Sequence, residues 1–123
     1  MLRILTAALF LFSLSSADLV AEPLLNVEQV IEEKSVLTGK EIKGKLILKN
    51  NGDELLKILG VSSTCGCTTL KLKQRRIKPG NVVDLDFLVD TRGKLGMVEK
   101  TITIHSNDPE SPWKEIVTFH ALP

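Results

Sequence analysis

The chain has 123 residues, 25% of them charged, with 16 Lys and Arg against 15 Asp and Glu. That length fits a single domain, and a net charge of +1 gives no basic excess with which to hold nucleic acid. A hydrophobic fraction of 43% is ordinary for a globular chain and excludes a disordered one.

Residues 1–17 read as a secretory signal peptide. Arg3 supplies a basic n-region, Ile4 to Leu14 form an apolar run broken only by Thr6 and Ser13, and Ser15-Ser16-Ala17 offers small residues before a cut at Asp18. The run is too short for a membrane crossing, which needs about 20 apolar residues, so cleavage leaves no membrane span. The expected domain is 18–123, with 15 basic and 15 acidic side chains. Its expected location is periplasmic or extracellular, where its partner would be an envelope protein of unknown identity.

From Asn26 onward the apolar period is two. Ile42, Leu46 and Leu48 share one face of a strand whose other face carries Lys43, Lys45 and Lys49. Asn50-Asn51-Gly52-Asp53, residues that tolerate positive φ, ends it. Leu55 to Val61 is nearly continuously apolar and reads as a central strand buried on both faces. After the turn at Pro79-Gly80, Val83, Leu85, Phe87 and Val89 alternate with Asp84, Asp86 and Asp90. Arg92 to Gly96 turns the chain into Val98, Ile102 and Ile104. A hairpin over 107–112 then leads to a last strand from about Lys114 to Ala121. This pattern predicts an all-β, immunoglobulin-like β-sandwich of about seven antiparallel strands from Leu24 to Ala121. The expected core is Leu46, Leu48, Leu56, Ile58, Leu85, Phe87, Val98, Ile102 and Ile104.

Four segments coincide with one pattern: Asn50-Asn51-Gly52-Asp53 with Leu56 and Ile58, Ser63-Thr64-Cys65-Gly66-Cys67-Thr68, Ile77-Lys78-Pro79-Gly80, and Ser106-Asn107-Asp108-Pro109. Together with Gly93 and Gly96 they resemble the bacterial DUF1573 family over roughly Val36 to Thr118. The resemblance implies an exported immunoglobulin-like domain, similar to the ASPM/SPD-2/hydin and major-sperm-protein sandwiches, and it implies no biochemical role.

Cys65 and Cys67 are the only cysteines. In an extended segment residues i and i+2 face the same side, but their Cα atoms lie about 6.6–7.2 Å apart, at or beyond the reach of a disulfide. A bond therefore needs a kink, which Gly66 permits, and would be comparatively easy to reduce. Three readings stay open. The pair is structural, or redox-active, or a soft-metal site suited to copper. A redox Cys-x-x-Cys motif would sit at a helix N-terminus, and this pair sits at a strand end.

Further ligands can be screened by topology. A hairpin over 107–112 opposes His105 with about Lys114 and His120 with about Glu99, setting the two histidines far apart. If the strand after the cysteines returns beside the strand before them, with the final strand on its far side, Met97 and His120 come to the cysteine pole. The candidate metal set is then Cys65, Cys67, Met97 and His120, with His105 the poorer choice.

The basic run Lys71, Lys73, Arg75, Arg76 and Lys78 reads as a solvated face with Asp84, Asp86 and Asp90 as cross-strand partners. Trp113 reads as a plug on the hairpin end. His105-Ser106-Asn107-Asp108 holds triad-type residues but lies in one turn, whereas triads converge from separate segments. No cofactor motif is present. The expectation is an exported, non-enzymatic binding or scaffolding module. The alternative is a periplasmic copper-binding or thiol-redox protein using the Cys-Gly-Cys pair.

Overall fold

The structure, a computed structural model, describes residues 21–123. The expected signal peptide and cleavage site lie outside the described residues. Nine strands follow in chain order: β1 (Leu25–Ile31), β2 (Ser35–Leu37), β3 (Glu41–Asn50), β4 (Leu56–Ser63), β5 (Thr68–Leu72), β6 (Arg76–Ile77), β7 (Val82–Asp90), β8 (Gly96–Ser106) and β9 (Trp113–Leu122). They form a four-stranded sheet, β1-β3-β7-β5, and a five-stranded sheet, β2-β9-β8-β4-β6. Among the described residues there is no helix.

The alternation read from the sequence becomes the core. Ile42, Leu46 and Leu48 of β3, Val83, Leu85, Phe87 and Val89 of β7, and Ile102 and Ile104 of β8 are buried with Leu56, Ile58, Val117 and Phe119. Burying a Leu- or Ile-sized side chain stabilises by about 1.5–3 kcal/mol, so these two inner faces hold the sheets together. Val98 only partly joins this core, because it lies towards the sandwich end.

Four expectations need correction. Seven antiparallel strands become nine because the N-terminal edge divides: β1 pairs antiparallel with β3, whereas β2 pairs parallel with β9. Parallel pairing follows from the bonds Thr38 N–H to Leu122 O (2.8 Å) and His120 N–H to Lys34 O (2.7 Å). Second, β4 is not buried on both faces. A bulge between Ile58 and Gly60 turns Leu59 outward, where it is 64% exposed.

Third, no residue of the Asn50–Asp53 segment has positive φ. The Asn50 side chain organises it instead, fully buried and using all its hydrogen-bonding capacity. Nδ2 donates to Glu54 O (2.6 Å) and Ile77 O (2.9 Å), and Oδ1 accepts from Gly52 N (2.9 Å) and Leu24 N (3.3 Å). Gly52 is needed for close approach, since a Cβ there would overlap Glu22 O and sit 2.7 Å from Leu24 N. Asn50 also meets the Pro79-Gly80 turn, donating its amide to Asn81 O and accepting from Gly80 N. In that turn Asn81 N–H closes on Lys78 O (3.0 Å) with Gly80 at φ 78°, the positive-φ position a type II turn requires.

Fourth, the β8–β9 register differs by two residues from the expected one. His120 opposes Met97, Glu99 opposes Thr118, and Lys114 opposes Thr103. The cause is a tighter hairpin: Ser106 N–H donates to Ser111 Oγ (2.9 Å), and Asp108 N–H donates back to Ser106 Oγ (3.1 Å). Trp113 packs against the core and donates Nε1–H to Glu115 Oε2 (2.7 Å).

Candidate functional site

The Cys-Gly-Cys segment is the crossover from one sheet to the other. β4 belongs to the five-stranded sheet and β5 to the four-stranded one, so the chain does not return beside β4 as expected; β8 takes that place. The ladder of β4 with β8 runs out at Thr64, whose amide donates to Thr101 O (3.1 Å). The chain then turns: Thr68 N–H closes on Cys65 O (3.3 Å), and Asp90 N–H on Cys67 O (2.9 Å).

This turn supplies the kink that a disulfide at this spacing requires. Cys65 and Cys67 are bonded, with their Cα atoms 5.2 Å apart, well inside disulfide range. The Cys67 backbone N–H donates to Cys65 Sγ (3.2 Å), and the Cys65 N–H to Ser63 Oγ (3.4 Å). Cys67 packs against the core, whereas Cys65 is not among the side chains packed on it. Gly66 between them is exposed and does not have positive φ; nothing lies within 4 Å of where a Cβ would stand. Thr68 Oγ1 is buried with no hydrogen-bond partner among the described residues.

The charged groups near the turn come from β7 and β8. Asp90 is held below the usual carboxylate range by its hydrogen bonds from Arg92, and the Arg92 guanidinium is raised in turn, the pair meeting at 2.6 Å. Burial lowers the pKa of Lys100, helped by the hydrogen-bonded Lys94 amine.

The four candidate metal donors are not brought together. Met97 and His120 are direct register partners, closer than the sequence reading allowed. They lie on the face of β8 and β9 opposite to Val98, Phe119 and Ala121, which point inward. Met97 is four residues from Thr101, the last β8 residue that the cysteine segment meets, or about 13 Å along the strand, while Cys67 packs on the core. Both sulfurs are engaged in the disulfide, so neither is a thiolate ligand. Among the described residues no three His, Cys, Asp or Glu side chains gather as a metal site. His105 is exposed opposite Gly60.

The other motif segments serve the framework. Asn107 accepts from Lys57 N–H through Oδ1 (2.8 Å) and donates Nδ2–H to Leu55 O (3.0 Å), fastening the hairpin to β4. Asp108 accepts from Leu25 N–H (2.6 Å) and Glu110 N–H (2.7 Å), fastening it to β1. In the basic run, Lys73 meets Asp86 (3.8 Å) and Lys71 opposes Asp86 in register. Arg75, Arg76 and Lys78 instead line a shallow groove beside β6.

Sequence reasoning missed the outer face of the five-stranded sheet. Leu37 and Leu122 are register partners across β2 and β9, and Leu95 precedes Gly96, the partner of Ala121. With Met97, 69% exposed, and Leu95, 65% exposed, they form an apolar strip. The signal was weak because no single segment carries it; three segments meet only when the sheet forms.

Two face-to-face sheets, an N-terminal edge divided between them and a disulfide-closed crossover define an immunoglobulin-like β-sandwich domain. The model of the DUF1573 family, proteins of unknown function, matches residues 25–120, and the chain belongs to that family. A protein of unknown function from Porphyromonas gingivalis W83 is similar at TM-score 0.64 and 22% identity, over 86% of this chain and 51% of that one. The secreted serine protease VesC from Vibrio cholerae is similar at TM-score 0.59 and 13% identity, over 79% of this chain and 23% of that one. A FixG-related protein from Vibrio parahaemolyticus is similar at TM-score 0.56 and 14% identity, over 79% of this chain and 95% of that one. At such identities the likeness is one of fold. The chain spans about half the length of the Porphyromonas protein and about a quarter of VesC. No curated protein matches the chain.

Proposed function

We propose that this protein is an exported, non-enzymatic immunoglobulin-like module that binds a protein of the cell envelope. The observation that carries this reading is the apolar strip of Leu37, Leu95, Met97 and Leu122 on the outer face of the five-stranded sheet, with Ile116 of β9, 54% exposed, on the same face. Single exposed apolar side chains are normal, but a contiguous group on one face is a docking feature. Export is supported by the apolar, small-residue-terminated segment before Asp18. The fold supplies faces and edges, while Ser106, Asn107 and Asp108 of the triad-type segment are occupied in fastening the hairpin.

The test is recovery of the tagged protein from fractionated cells, followed by co-purification from the envelope fraction. A Met97→Glu, Leu122→Glu variant should fold normally and lose the partner that the wild type retains. Equal retention by wild type and variant would refute the sheet-face reading. A reproducible catalytic activity abolished by one substitution would refute the non-enzymatic one.

A further inference from the structure

We propose that the Cys65–Cys67 disulfide is a thiol-exchange site, in which Cys65 forms a mixed disulfide with an incoming thiol and Cys67 is the displaced and resolving sulfur. This concerns the crossover, not the sheet face, and goes beyond the binding reading above.

Four observations carry it. The bond closes a ring of adjacent backbone within one turn, so it constrains the unfolded chain little and has little structural reason to exist. The turn is open, because Gly66 is exposed and nothing stands within 4 Å of its missing side chain. The two sulfurs differ: Cys67 is held against the core, and Cys65 is not. Finally, the Cys67 N–H points at Cys65 Sγ at 3.2 Å, a donor set to stabilise the thiolate that leaves on Cys65 when a second thiol attacks the mixed disulfide.

The surroundings favour the same assignment. The Asp90 N–H fastens Cys67 through its carbonyl at 2.9 Å, and the Asp90 carboxylate is engaged by Arg92. The buried Thr68 hydroxyl, next in sequence to Cys67, has no partner among the described residues while the disulfide is closed.

In the step proposed, the thiolate of a protein or small-molecule thiol attacks Cys65 Sγ. A new S–S bond forms to Cys65 as the Cys65–Cys67 bond breaks, and the electron pair leaves on Cys67 Sγ. Attack of the Cys67 thiolate back on Cys65 expels the thiol and restores the starting state. Attack of a second thiol on the mixed disulfide instead releases an oxidised thiol pair and leaves the protein as the dithiol. No oxidant beyond the protein's own disulfide is needed.

The experiment uses glutathione and a cysteine-containing peptide as the two thiol sources. The folded wild type is incubated with each reduced thiol, quenched in acid and mapped by mass spectrometry. The single-cysteine variants Cys67→Ser and Cys65→Ser are then reacted with oxidised glutathione under native conditions. The expected result is a wild-type adduct on Cys65, and mixed-disulfide formation at least ten-fold faster in Cys67→Ser than in Cys65→Ser. An adduct with the peptide but not glutathione identifies a protein thiol as the source, and the converse a small one. No adduct with either thiol, an adduct on Cys67, or equal rates in the two variants would overturn the proposal. Met97→Glu should leave exchange unchanged, so the two readings fail separately.

Discussion

The side-chain amide of Asn50 donates to the backbone carbonyl of Ile77 across 2.9 Å of fully buried interior. The same amide holds Leu24 just before β1, Gly52 in the turn after β3 and Glu54 on the way into β4. Replacing Asn50 with Leu would strand two carbonyls and two amides in the core, each costing about 1–3 kcal/mol when left without a partner. The expected outcome is a loss of more than 3 kcal/mol in urea unfolding, or no recoverable folded protein. Asn50→Asp should also destabilise, because it keeps the acceptor but removes both donors.

Gly44 and Gly66 should respond oppositely to the same change. A Cβ at Gly44 would overlap the Phe87 ring and sit 2.8 Å from Val30 O, whereas at Gly66 it would meet nothing. Gly44→Ala should therefore destabilise by about 1–3 kcal/mol, the usual range for overpacking. Gly66→Ala should unfold at the same urea concentration as the wild type within error.

Cys65 and Cys67 can be tested for their part in stability apart from any exchange chemistry. Closing so short a loop is expected to contribute about 1.5 kcal/mol at most. The Cys65→Ser, Cys67→Ser variant should retain the wild-type far-UV spectrum and lose no more than this on chemical unfolding. A loss of several kcal/mol would make the bond a structural staple.

Lys100 should behave as a partly desolvated cation that weakens the fold. Its folded pKa is lowered, chiefly by burial, so between that value and the ordinary lysine pKa the unfolded state binds more protons. Stability attributable to this group rises with pH through that window, and at neutral pH the full penalty is present. Lys100→Met should therefore be more stable than the wild type at pH 7, with the difference shrinking as pH rises towards the lysine range.

Asp90 gives the opposite case. Its folded pKa is depressed by Arg92, so its contribution is present above the unfolded aspartate pKa and fades as pH falls through the lower folded value. Because Arg92 is exposed and Asp90 only half-buried, salt should screen the effect. NMR titration should find the Asp90 midpoint below that of an ordinary aspartate, and Arg92→Ala should bring it back.

The all-β class, the strand phases of β3, β7 and β8, and the burial of every expected core residue but Val98 followed from the sequence alone, whereas Leu25, Ile77, Val117 and Phe119 joined the core unexpected. A period of two is a local property: alternating side chains must point to opposite faces of a strand wherever it goes. Pro79-Gly80 and Arg92 to Gly96 were legible for the same reason, since turn residues act on their own backbone. The two cysteines, their spacing and the need for a kink between them were likewise written in consecutive residues. What the tertiary structure decided were relations between distant segments. Whether the chain after Cys67 stayed in its sheet or crossed to the other depended on β8 occupying the place beside β4. Met97 became the partner of His120 because Ser111 receives the Ser106 amide, a bond that shifts the register of a whole strand by two residues. Side-chain periodicity fixes which way a residue points within its strand; which strand lies next to it, and at what register, is set by turn hydrogen bonds and core packing that no local pattern carries.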